Sequence, residues 1–513
     1  MADLNADVLT RIFLHLQFTE RVRLETVCHL WHLVLQSNAC FSDMRQLDLS
    51  DFLSNTTADY YQQVSYPVLL LPYPSYSLQE SISLSPTIMG VVERCGSYVR
   101  SLSFGSRWLK VRQHVVDTIA RNCTQLRQLD LGAVILNADI SHLLQTVAGQ
   151  LRVLSLEETS WVHNEHAEKM ANLLSSFTRL ESINLRSAMF SIQNIVHLPS
   201  TLRQIDISHA HHFSESAMVS FLRLHPLLET FTASPCPVMN QDILDALSDL
   251  PLLSSLSLGF IDDRSIDMSC LSRLTRLRSL TLQSVSSLNE TSLLSILSSL
   301  TSLSTLSLRR CDRVFDYSSL SFCERLSHLT ITDTMQLADT HLILLAVRSS
   351  LRHLHISNCI NVSSQGLCYA LSHSQLQELL ITHCPSITDE VMYTVVTTQE
   401  TIKEISIQRC TAITSKGVAA LAWLRNIRGL RSLDISKNRQ IDDSAVESLH
   451  NALLTLARRP HPCLSASDTD CHKRHKKREL SPMKEQSLTL LVAQTSVTQS
   501  VEAKVEDFIN LIY

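Results

Sequence analysis

The chain has 513 residues, 44% of them hydrophobic but only 5% aromatic, and a formal net charge of −5. So small a charge on so long a chain gives no global attraction to nucleic acid or to an anionic membrane, and nine glycines argue against a dinucleotide- or phosphate-cradling fold. No apolar run approaches the roughly 20 residues a membrane helix needs, and no secretory signal pattern opens the sequence, so its 14 cysteines are expected as reduced thiols in a cytoplasmic protein.

Residues 1–45 read as a small all-helical module. Asn5 can cap a helix that carries Val8, Leu9, Ile12, Phe13 and Leu16 on one side, the spacing of a packed stripe. Thr19 can cap a second helix with Val22 and Val27 buried, and a third runs through Trp31, Val34 and Leu35. So short a unit cannot bury much apolar surface alone and needs something to pack on. Residues 46–98 begin with one irregular strand, Leu47-Asp-Leu49. They then lose pattern in an insertion over 53–83, where Tyr60, Tyr61, Tyr66, Tyr73 and Tyr76 lie among prolines and serines. Order returns through Val91 and Val99 to Leu102-Ser-Phe104.

From Val99 to Leu430 fourteen segments open on the pattern L-x-x-L-x-L, about 25 residues apart. The clearest are those starting at Leu351, Leu376, Ile402 and Leu430, each followed three positions after its last aliphatic by Cys359, Cys384, Cys410 or Asn438. A fixed period in the twenties with this spacing is the signature of a leucine-rich repeat, one short strand and one helix per unit. Alternation points one row of Leu and Ile inward, the Cys or Asn turns the chain, and a helix such as 389–396 returns it. One unit cannot cover its own apolar face, so units stack. Residues 99–455 are therefore predicted as about 14 units of an α/β solenoid, a horseshoe with parallel strands inside and helices outside. The intervening strand residues are left to meet a macromolecule, and the candidates for a protein substrate are Arg309, Arg310, His353, His355, Glu378, His383, Glu404 and Arg409.

Residues 456–513 read as a mostly disordered basic tail. The run from His472 to Arg478 is a candidate nuclear-import signal, and 501–513 forms a short amphipathic helix with Val505, Phe508, Ile509 and Ile512 on one side. Cys463, Cys471, His472 and His475 match no zinc-finger spacing, so no metal and no cofactor are expected. Phosphate-loop, nucleophile-elbow and zinc-protease patterns are missing too, which points to a chain without catalysis of its own.

The set Leu4, Val8-Leu9, Ile12-Phe13, Leu16, Val27-Cys28 and Trp31 resembles an F-box, the three-helix module that docks on the Skp-type adaptor of SCF ubiquitin ligases. The Leu47-Asp-Leu49 strand and the Val91–Phe104 stretch resemble the opening of F-box proteins whose array is the cysteine-containing repeat subtype. Asn5 stands where that family usually has Pro, and is itself a good cap. The resemblance implies adaptor contact through Leu4, Val8, Leu9, Ile12, Phe13, Leu16, Val27 and Trp31. It also implies a cullin scaffold reached through that adaptor, and a protein substrate on the array, with neither nucleic acid nor membrane as partner. A repeat scaffold without ubiquitin chemistry fits the same pattern.

Overall fold

The computed structural model describes residues 5–16, 18–35, 38–49, 86–105, 109–188, 193–210, 214–236, 238–457, 488–497, 501, 505 and 509–512. Leu4, the 53–83 insertion and the basic run from His472 to Arg478 lie outside them. The chain divides into two units, Met1–Leu253 and Ser254–Tyr513, each built of leucine-rich-repeat coils.

Unit 1 opens with three helices, α1 (Ala6–Leu14), α2 (Phe18–Leu24) and α3 (His29–Leu35). The Asn5 side chain caps α1, its Oδ1 accepting from the Asp7 amide at 2.5 Å and the Val8 amide at 3.4 Å. Helix α2 begins at Phe18, one residue before the cap expected at Thr19. The module's organiser is a residue that periodicity overlooks. Arg21 is buried, and it donates to the Leu16, Leu14 and Cys40 carbonyls at 3.0, 3.0 and 2.8 Å while gripping both Asp43 oxygens at 2.6 Å. Such a fork satisfies the guanidinium's donors in one place and ties α1, α2 and the following turn together. The Arg21 bonds hold the Asp43 carboxyl below its ordinary range.

The strands of unit 1 are β1 (Gln46–Asp48), β2 (Ser101–Ser103), β3 (Lys110–Arg112), β4 (Gln128–Asp130), β5 (Ile135–Asn137), β6 (Val153–Ser155), β7 (Ser160–Trp161), β8 (Ser182–Asn184), β9 (Gln204–Asp206) and β10 (Thr230–Ala233). Seven form one parallel sheet in the order β1-β2-β4-β6-β8-β9-β10, and β3, β5 and β7 form a second small one. Arg94 of the helix Pro86–Cys95 pairs with Glu25, joining the helical module to the first coils.

Among the described residues unit 2 has ten strands, β11 (Ser255–Ile261), β12 (Ser279–Val285), β13 (Thr305–Arg309), β14 (His328–Thr332), β15 (His353–Ser357), β16 (Glu378–Thr382), β17 (Glu404–Gln408), β18 (Ser432–Asp434), β19 (Leu488–Leu491) and β20 (Ile509–Ile512). Each pairs in parallel with the next. All fourteen predicted starts are followed by a strand, and the helix expected over 389–396 is Asp389–Thr398. Two expectations change at the tail. The array runs past residue 455 into β19 and β20, and of the helix expected over 501–513 Val505 is helical while Ile509–Ile512 is a strand, with Ile509 and Leu511 buried and Ile512 exposed. A short apolar run reads equally as helix or strand. Here β19, itself paired with β18, offers a ladder to extend, and the run pairs with it.

Each coil of unit 2 buries its signature aliphatics in register, as Leu329, Leu354, Leu379 and Ile405 do one above another. Each such side chain contributes about 1.5–3 kcal/mol when fully buried. The residue after the strand then adopts positive φ, at Arg310, Asp333, Asn358, His383 and Arg409, and Lys437 does so three residues past β18. Non-glycine residues pay for that conformation. The recurring compensation is a backbone bond to the next coil, as when Asp333, Asn358 and His383 each donate at 2.8 Å to Ser357, Thr382 and Gln408. The turn residues come next and are buried. Cys311, Cys359 and Cys410 direct their thiols at the Leu282, Ile331 and Ile381 carbonyls of the preceding coil at 3.7, 3.6 and 3.9 Å. Asn438 does this more completely, accepting from the Cys410 amide at 2.8 Å and donating to the Ile407 and Ile435 carbonyls at 2.5 and 2.9 Å. Burial pushes the Cys311, Cys359 and Cys410 thiols up to about 12, which makes them packing groups rather than nucleophiles. No helix among the described residues is long and apolar enough to cross a membrane.

Candidate protein-docking surfaces

Two surfaces collect the residues singled out from the sequence. The first is the helical module of unit 1. Its apolar stripe is split rather than shared. Leu9 and Phe13 are each 1% exposed and belong to the module's own core with Val34 and Leu35. The Phe13 ring meets Trp31 edge-on at 5.3 Å, and Trp31 and Leu16 are half-buried. Leu9 and Phe13 are therefore withdrawn from any partner, and Val27, expected inside, lies outside. What α1 leaves in solvent is Val8 at 42% and Ile12 at 44%, one helical turn apart. Val27, in the turn after α2, is 56% exposed, and α3 adds Leu30 at 46% and Leu33 at 53%. Leu30 and Leu33 were not singled out, because nothing in the spacing of His29–Leu35 tells which face turns outward. Among the described residues, five large apolar side chains stay in solvent on a small module whose α1 packs on α3, and such exposed apolar groups are of the kind that partners cover.

The second surface is the outward face of β13–β17. Parallel register places His328, His353, Glu378 and Glu404 at the first position of successive strands, and Ser307, Thr330, His355, Leu380 and Ser406 at the third. The structure brings Arg309, His353, His355, Glu378 and Glu404 onto this face as expected. Arg310, His383 and Arg409 do not belong to it: each is the positive-φ residue just past its strand, held at the rim of the face. The His328 and His353 rings stack at 4.0 Å and 8° between planes. His353 Nδ1 lies 2.8 Å from Glu378 Oε2, and His328 Nδ1 lies 2.8 Å from the Ser327 hydroxyl. Burial holds the His328 pKa down, with the His353 ring adding to it. Burial does the same at His355, reinforced by the Arg309 charge. Both rings are thus neutral at pH 7 and act as dipoles and flat apolar plates. Among the described residues no group of three or more His, Cys, Asp or Glu is arranged to hold a metal ion.

No family model matches this chain, and no curated protein matches it in sequence. Among solved structures it is similar to a chain of the Rad7–Elc1 complex of yeast, with 17% identity over 69% of this chain and 88% of that one and a TM-score of 0.46. It is also similar to an internalin of Listeria monocytogenes, with 16% identity, 64% and 84% coverage and a TM-score of 0.40. A chain of the TLR13–ssRNA13 complex matches at 15% identity, 69% and 51% coverage and a TM-score of 0.40.

Proposed function

We infer that this chain is the substrate-recognition subunit of an SCF-type ubiquitin ligase. Its helical module docks on a Skp-type adaptor, which connects it to a cullin scaffold, and its repeat face holds a protein substrate. The observation that supports this most is the division of labour inside the module. Leu9, Phe13, Val34 and Leu35 close its core, while Val8, Ile12, Val27, Leu30 and Leu33 stay outside it. An adaptor groove lined with apolar side chains would cover these five, and the chain itself would carry out no bond chemistry. Its contribution is proximity, since holding a substrate beside a charged conjugating enzyme turns a bimolecular encounter into an effectively intramolecular one.

Titration calorimetry of the full chain with a Skp-type adaptor tests the reading. Wild type is expected to bind, and Val8→Asp with Ile12→Asp to lose binding at least about a hundredfold, because two charges would be buried without partners. Both side chains are exposed, so the variant keeps its melting temperature. Retention of affinity by that variant, or no binding by wild type, would leave the repeat scaffold without ubiquitin chemistry as the better description.

A further inference from the structure

The proposed recognition half leaves open what kind of segment the repeat face takes, and the charges on that face narrow the answer. The ionisable side chains at outward positions of β13–β18 are Arg309, His328, His353, His355, Glu378, Glu404 and Asp434. Most already have partners. His353 holds Glu378, His328 is stacked on His353 and bonded to Ser327, and Asp434 accepts from Gln408 at 2.5 Å and from the Ser436 amide at 2.9 Å. Two charges of opposite sign are left over. Arg309 is exposed and donates only to the Ser307 hydroxyl, at 3.3 Å; among the described residues it has no carboxylate partner. Glu404 is exposed on β17, and among the described residues it has no cationic partner.

These two lie at opposite ends of a diagonal whose midpoint is also informative. Arg309 is the fifth residue of β13, His355 the third of β15 and Glu404 the first of β17. Each step therefore moves two strands across and two residues back. With strands about 4.8 Å apart and about 3.3 Å per residue, the ends are roughly 23 Å apart, the reach of about seven residues of extended chain. At the midpoint sits the half-buried, neutral ring of His355, and the outward Leu380 is its register neighbour on β16. An uncompensated cation, an apolar-leaning centre and an uncompensated anion thus follow one line.

We propose that this face binds an extended peptide segment with an acidic residue over Arg309, an apolar residue over His355 and Leu380, and a basic residue at Glu404. The acidic and basic residues of that segment are about seven positions apart. Charge complementarity selects such a peptide over nucleic acid, because Glu378 and Glu404 repel a continuous polyanion crossing the same strands. The inference deepens the recognition half of the proposed function, but its test needs no adaptor, so either reading can fail without the other.

The probe is a set of fluorescent peptides with one Asp, a central Phe and one Lys in a Ser/Thr background, made in both orders with the charges three, five, seven or nine positions apart. Anisotropy with the full chain is expected to show tightest binding for one order at about seven. Arg309→Glu should weaken that peptide about tenfold or more, as should Glu404→Lys. The double variant Arg309→Glu/Glu404→Lys should instead prefer the peptide of reversed order at the same spacing, which a merely structural role for either residue would not produce. Both residues are exposed, and unchanged melting temperatures confirm that the variants fold. Equal binding at all spacings, no binding at any, a double variant without the reversed preference, or displacement of the best peptide by oligouridylate at equal concentration would each overturn the proposal.

Discussion

The two units use one repeat to build two different strand faces. In unit 1 the main-sheet strands from β1 to β9 are three residues long, whereas β13–β17 of unit 2 have five residues each and β11 and β12 have seven. The cause is local. At the third strand position unit 1 carries Asp130, Asn184 and Asp206, whose side chains accept from the backbone amides of Gly132, Arg186 and Ser208 at 2.9, 3.0 and 2.8 Å. A carboxylate or carboxamide that captures the amide two residues on competes with the ladder and ends the strand. In unit 2 that position is Ser307, Thr330, His355, Leu380 or Ser406, and the ladder continues. The exception supports the rule, because β18 carries Asp434 there, bonded to the Ser436 amide, and returns to three residues. A long flat face therefore exists only where the third residue leaves the backbone alone.

The turns differ as well. Unit 1 fills them with buried Val134, Thr159, Ala188 and Ala210, while unit 2 uses Cys311, Cys359, Cys384, Cys410 and Asn438. Asn438→Ala is the change with the largest expected effect, since it strips partners from the buried Cys410 amide and the Ile407 carbonyl at once. Unit 2 should lose about 3 kcal/mol in denaturant unfolding, with Asn438→Cys recovering part of it. Thr159→Ala in unit 1 frees a single carbonyl, that of Leu131, and should cost about 1 kcal/mol. Equal losses at the two sites would erase the contrast between the units.

A smaller difference should appear with pH. The outward positions of unit 1's strands hold no histidine, whereas unit 2's face holds three. His328 faces His353, Glu378 and Arg352, and His355 faces Arg309 and Glu378, and both imidazoles are held below their usual value by burial. Below about pH 6.5 the unfolded chain takes up protons that the folded rings refuse, so stability declines as pH falls. The urea midpoint of unit 2 is expected to drop between pH 7.5 and 5.5, and His355→Gln to remove part of that slope. A slope carried equally by unit 1 would assign it elsewhere. The smallest energetic effect belongs to Asp434→Thr, which should lengthen β18 to five residues in a crystal structure of the variant. A β18 that stays three residues long would show that the carboxylate does not set strand length.

Much of this was legible from the chain. The fourteen starts, the turn residues and the Asn5 cap all follow from short-range spacing, and spacing is what a repeat writes into a sequence. Long-range partners left no such mark. Arg21 and Asp43 are 22 residues apart with no periodic relation, and β19 pairs with β18 and β20 with β19 without the spacing of the repeat. The exposed apolar face of the helical module was half legible. Val8, Leu9, Ile12, Phe13 and Leu16 share a helical stripe, but a stripe does not say which of its members turn inward onto Trp31 and which remain in solvent.

The apolar face of α1 and α3 carries the proposed adaptor contact. Amide hydrogen exchange of the full chain with and without a Skp-type adaptor would test it. Protection is expected across α1, α3 and the Val27 turn, with the amides of β13–β17 unchanged. Exchange unaltered in α1 and α3, or protection confined to the repeat strands, would contradict the claim that this face is where the adaptor sits.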